Sequence, residues 1–114
     1  MILFGPAWDS ENKDEAVKAV EKMTDVVKLA RAAKEARCWQ ARLAAVTKLT
    51  DQSVLADVAK NDKDDNVRLA AVAKLTDQTI VQEVYADIAK YGKYSDVRKE
   101  AVKNLIKHQT VFCG

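Results

Sequence analysis

The chain has 114 residues, 48% of them apolar and 32% charged, a balance that fits a folded domain and is too apolar for a disordered one. Nineteen Lys and Arg against 17 Asp and Glu leave a formal charge of +2, which excludes the strong basic excess of a dedicated nucleic-acid binder. One Pro, three Gly and no apolar run near the ~20 residues of a bilayer span point to a single helical domain over 1–114 with no membrane partner.

The first eleven residues open with Met1-Ile-Leu-Phe-Gly-Pro-Ala-Trp8 and turn acidic at Asp9 and Glu11. No basic segment precedes the apolar stretch, so a secretory signal is not expected. The stretch reads instead as a strap over the open end of a core. From residue 12 onward the chain repeats itself. Arg42-Leu-Ala-Ala-Val-Thr-Lys-Leu-Thr-Asp-Gln52 returns as Arg68-Leu-Ala-Ala-Val-Ala-Lys-Leu-Thr-Asp-Gln78, with ten of 11 positions identical and an offset of 26. The same frame runs back to Ala16–Asp25 at the same offset and forward to Arg98–Leu105 at an offset of 30. The units are 12–37, 38–63, 64–93 and a half unit, 94–108, followed by an apolar tail, 109–114. Internal periods of this size mark stacked repeats.

Each unit divides into two helices. In the first, Val67, Ala71, Val72 and Leu75 form one apolar stripe, as do Ala41, Ala45, Val46 and Leu49, and Val97, Ala101, Val102 and Leu105. In the second, Val54, Leu55, Val58 and Ala59 form a shorter stripe. Asn66 and Asp96 stand where first helices are expected to be capped, and Thr50-Asp51 and Thr76-Asp77 where second helices begin. No segment alternates apolar and polar residues, so no strand is expected. The four extra residues before the last unit fall within a continuous stripe of Ile80, Val81, Val84, Tyr85, Ile88 and Ala89. Four residues are close to one helical turn, so the second helix of that unit is predicted to be one turn longer, with Tyr91-Gly-Lys-Tyr94 as its loop.

The segment Asp65-Asn-Val-Arg-Leu-Ala-Ala-Val-Ala-Lys-Leu-Thr-Asp-Gln78 resembles HEAT-like repeats, and the short period resembles the leucine-rich repeat variant. The likeness covers residues 12 to 108. It departs at Ala16, where Arg42 and Arg68 stand in later units, and at Lys99-Glu100, where Leu69-Ala70 stand. The resemblance implies an all-α, right-handed solenoid of the HEAT-like or ARM-like kind, about three and a half helix pairs and about seven helices. It also implies that Arg42, Arg68 and Arg98 act as a structural ladder between units. We expect them to meet Asp25, Asp51 and Asp77, because a guanidinium can hold a carboxylate through two hydrogen bonds.

The residues point to a non-catalytic scaffold that binds another protein. Trp39 replaces the acidic Asp65 of the next unit, and Tyr85, Tyr91 and Tyr94 cluster at the lengthened helix, so these four are the expected contacts. The rows Lys22, Lys48, Lys74 and Lys34, Lys60, Lys90 offer weak binding to nucleic-acid phosphate as an alternative. Asp57, Asp62, Asp64, Asp65 and Asp87 lie among them and oppose it. Self-association through the apolar termini is a third reading.

No enzyme activity, cofactor or metal site is expected. His108 is the single histidine, placed to favour a helix C-terminus. Ser10, Ser53 and Ser95 fit helix starts, and no glycine-rich phosphate loop occurs. Asp62–Asn66 has the acidic character of a calcium loop but places Val67 and Ala73 where that loop needs Gly and Glu. Cys38 and Cys113 sit in distant units, without metal or redox spacing, and read as free thiols in the cytoplasm, with an intermolecular bridge through Cys113 as the alternative.

Overall fold

In a computed structural model the backbone is described for residues 6–113 and side chains through residue 106. These residues form a short 3₁₀ turn, Ala7–Asp9, and seven helices: α1 (Lys13–Glu21), α2 (Val26–Glu35), α3 (Trp39–Lys48), α4 (Gln52–Asn61), α5 (Asp65–Val72), α6 (Gln78–Tyr91) and α7 (Ser95–Cys113). There is no strand among them. The principal extents are 60 × 27 × 18 Å and the radius of gyration is 15.2 Å, above the ~13 Å of a globular chain of this length.

Aspartates set the helix starts. Asp25, Asp51 and Asp77 each accept hydrogen bonds from two backbone N–H groups in the first turns of α2, α4 and α6. Each such cap contributes about 1 kcal/mol. At α5 the cap is Asp64, which accepts from the Asn66 N–H at 2.8 Å, rather than Asn66 itself. At the last unit the helix already begins at Ser95, so Asp96 lies in its first turn. Helix α6 has 14 residues against ten in α4, the additional turn read from the insertion.

The last unit departs from the expected half unit closing at 108. Helix α7 runs unbroken to Cys113. In the earlier units the first helix stops before Thr24-Asp25, Thr50-Asp51 or Thr76-Asp77, whose carboxylates cap the next helix. The equivalent pair is Ile106-Lys107. With no cap to start a new helix, the existing one continues.

Helices α1, α3, α5 and α7 pack one on the next in that order, and α2, α4 and α6 contact each other in succession. The closest pairs are α2 with α3, α4 with α5 and α6 with α7. One core runs through all of them, from Val20 and Leu29 through Val46, Leu49, Leu55 and Val72 to Ile88 and Ala101. The described part of the N-terminal strap packs on α1 and α2. Trp8 is buried there, with the Arg31 guanidinium 5.8 Å from its ring centre. Arg37 ties the strap down by donating its backbone N–H to Asp9 and pairing with Glu11 at 3.1 Å. The placement of Met1–Gly5, the side chains of His108 and Cys113, and the expected apolar contacts of the tail lie outside the described residues.

Candidate functional site

The turns joining α2 to α3, α4 to α5 and α6 to α7 lie at one edge, and the exposed aromatic side chains belong to them. Trp39 opens α3, Tyr91 closes α6 and is 69% exposed, and Tyr94 precedes α7. The Lys90 ammonium lies 5.5 Å from the Tyr91 ring centre and that of Lys93 lies 5.6 Å from the Tyr94 ring centre. Each aromatic face is thus covered by a cation, worth about 0.5–1 kcal/mol at an exposed site. The backbone N–H of Lys93 donates to Asp65 at 2.7 Å. That bond fastens the last turn to the start of α5.

Tyr85 corrects the expected set of four contacts. It is 4% exposed, on the inner stripe of α6 with Val81, Val84 and Ile88, and cannot meet a partner. Adding one turn to α6 preserved the rotation of its buried face, so the tyrosine stayed inside. Burial, and then the nearby charge of Glu100, push its phenol above the usual tyrosine range. Trp39 is separated from Tyr91 and Tyr94 by the α4–α5 turn, where the position matching Trp39 is Asp65.

The expected ladder is also differently built. The arginines do not meet Asp25, Asp51 or Asp77, whose carboxylates are already committed to helix caps. Arg42 is buried and forks onto Asp62, with Nε to Oδ2 at 2.9 Å and Nη2 to Oδ1 at 3.3 Å, while its Nη1 donates to the carbonyl of Ala36 at 2.8 Å. Arg68 donates to the Ala59 carbonyl at 2.8 Å and pairs with Asp87 at 2.7 Å. The position matching Asp62 in that unit is Gly92, so Arg68 uses a carboxylate one turn earlier on α6. Arg98 donates to the Gly92 carbonyl at 2.7 Å. Each arginine therefore seals the end of the preceding second helix.

A second set of ties was not anticipated from the sequence. Lys48 inserts its ammonium among the carbonyls of Val20, Glu21 and Met23, at the end of α1. Lys74 does the same at the end of α3, donating to Val46 at 3.0 Å and Thr47 at 2.9 Å. The carbonyls of Val20 and Val46 also accept from the backbone N–H groups of Met23 and Leu49 that close these helices, and a cation there meets the negative end of the helix dipole. The signal was present as Lys-x-Thr-Asp, repeated at 22–25, 48–51 and 74–77. Changing Lys74 to Met is expected to lower stability by about 1–2 kcal/mol, whereas Lys22→Met, which breaks no such tie among the described residues, should be neutral. Urea midpoints of the two variants, at unchanged slope, check this.

The other lysine row is mixed. Lys34 pairs with Asp57 at 3.2 Å. Asn61 and then Lys34 hold the Asp57 carboxyl below its ordinary range, and hydrogen bonds from Ser53 and Val54 do the same for Asp51. Among the described residues no cluster of His, Cys, Asp and Glu could hold a metal ion, and no helix is long and apolar enough to cross a membrane. The Cys38 thiol is free and faces the carbonyls of Ser10 and Glu11.

No protein-family model matches the chain, and no curated protein sequence or solved structure matches it. The internal repeat and the geometry of the turn edge therefore carry the functional reading.

Proposed function

We propose that this chain is a short right-handed solenoid of HEAT-like helix pairs that acts as a non-catalytic scaffold for another protein. The repeat architecture is supported by the succession of α1, α3, α5 and α7 at the sequence period, and by lysine ties at Lys48 and Lys74, one period apart. The binding role rests on one observation: the end of the lengthened α6 and the turn after it present two exposed tyrosines, Tyr91 and Tyr94, each covered by a lysine. Rigid aromatic side chains with a cationic partner suit a protein interface, because they offer large contact area at little ordering cost. The Cys38 thiol is unbridged and donates toward two carbonyls, which fits a cytoplasmic setting. Phosphate binding along Lys22, Lys48 and Lys74 is the weaker reading, since two of these lysines are engaged by backbone carbonyls.

The test is a pull-down with wild type beside a Trp39→Ala/Tyr91→Ala/Tyr94→Ala variant. The variant loses both cation contacts and a Trp39 side chain that is 37% exposed, so stability should fall by about 1–3 kcal/mol, and a circular dichroism melt verifies that the variant is folded. Proteins recovered by wild type should be lost by the variant. Full recovery of all of them by the variant would refute the assignment of this edge.

A further inference from the structure

The turn edge is more cationic than its sequence. Lys60 and Lys90 stand at matching places in the last turns of α4 and α6, and Lys63 and Lys93 match in the turns that follow. All four are exposed, and none forms an ion pair among the described residues. The carboxylates that stand among them are committed within the chain. The side chain of Asp62 is 4% exposed and is held by Arg42. Asp64 caps α5 through the Asn66 N–H. Asp65 accepts from the Lys93 N–H, and Asp87 pairs with Arg68. Asp57 is held by Asn61 and Lys34, and the Lys60 charge acts on it at longer range. Asp96 is the one exposed carboxylate of residues 60–66 and 90–96, and it lies in the first turn of α7, where the helix dipole favours it. Arg42 and Arg68, buried beneath the edge, thus neutralise its acids, and the lysines are left in solvent.

Spacing and the aromatic rings define what fits there. Helices of neighbouring units lie ~8–10 Å apart, a distance that about three residues of extended chain span. A peptide laid across the turns with a carboxylate at every third residue would reach Lys63 and then Lys93. The residues between would lie over Tyr91 and Tyr94, which are 69% and 55% exposed. Each of these rings has one face taken by its own lysine, which removes stacking surface that the bases of a nucleic acid would need. A carboxylate meets the same ammonium directly and leaves the rest of the ring to apolar atoms.

We infer that the turn edge takes an extended acidic segment of a partner protein, with Lys60, Lys63, Lys90 and Lys93 holding its carboxylates and Tyr91 and Tyr94 packing between them. The inference rests on the reading of this edge as a protein-binding surface and adds the chemistry of the occupant. Three labelled probes test it by fluorescence anisotropy against the full chain: a short peptide with Glu at every third position and Val and Ser between, its twin with Gln for Glu, and a short oligothymidylate. At low salt the acidic peptide should bind about tenfold tighter than its twin. At ~1 M salt, where the screening length is ~3 Å, most of that advantage should vanish. Lys60→Gln/Lys63→Gln/Lys93→Gln should remove the preference, with a circular dichroism melt to verify the fold. Tyr91→Ala/Tyr94→Ala should weaken both peptides alike. No binding of the acidic peptide, or a preference that the lysine variant retains, would overturn the inference. Equal binding of both peptides that the tyrosine variant abolishes would overturn it too, while leaving the edge a protein-binding surface. Tighter binding of the oligothymidylate than of the acidic peptide would assign the lysines to phosphate and overturn it as well.

Discussion

Replacing Arg42 with Leu is expected to destabilise the chain by about 3–5 kcal/mol, a drop in Tm of more than about 10 °C for a domain of this size. The reason lies in what remains. The side chains of Arg42 and Asp62 are 5% and 4% exposed. Without the guanidinium, the Asp62 carboxylate is a buried charge with one remaining backbone donor, the Asp64 N–H at 2.8 Å. The carbonyls of Ala36 and Arg37 lose their shared donor at the same time. Pairing Arg42→Leu with Asp62→Asn should recover much of the loss. The amide carries no charge and its oxygen can still accept from Asp64. Thermal melts of the single and double variants measure the coupling. A single variant within about 1 kcal/mol of wild type would show that water reaches the pair.

The second large effect is predicted at Leu55→Ala. Leu55 is fully buried on α4, in the middle of the continuous core. Removing three of its carbons should cost about 2–5 kcal/mol, the lower end applying if α4 settles toward its neighbours. That is a large part of the 5–15 kcal/mol that holds a typical domain together. Val27→Ala on α2 removes apolar atoms from a side chain that is already largely in solvent, and should shift the urea midpoint very little. A similar loss in both variants would mean that the α4 site is not the tightly filled interior described above.

Much of this architecture was legible because it is written more than once. The recurrence of Leu-Ala-Ala-Val and Leu-Thr-Asp located the helices, and the role of Asp51 and Asp77 as starts followed from their place after an apolar stripe. The additional turn of α6 was readable because four residues nearly complete a helical turn. What escaped was chiefly the choice of partners. Asp25, Asp51 and Asp77 have the spacing of ladder residues, but a carboxylate beside two unsatisfied N–H groups is captured locally before it can reach another unit. Arg42 therefore turns to Asp62, a residue that lacks a counterpart in the flanking units, where Ala36 and Gly92 stand. The burial of Tyr85 was contained in its own stripe with Val81 and Ile88, and its aromatic character drew attention away from that periodicity. The lysine ties were hidden because lysine on a helix is ordinarily a solvated residue. Only the geometry of one helix end meeting the next unit gives it carbonyl partners.

The lysine ties give the array a polarity. Lys48 reaches back to the end of α1 and Lys74 to the end of α3, and among the described residues no lysine reaches forward in the same way. Peeling α5 away uncaps α3, whereas peeling α1 away leaves Lys48 with a side chain that water can solvate. Opening that starts from the C-terminal side thus strips each earlier segment of its latch in turn, and opening from the N-terminal side does not. Force applied to the two ends of this protein should therefore find one end easier to unzip than the other.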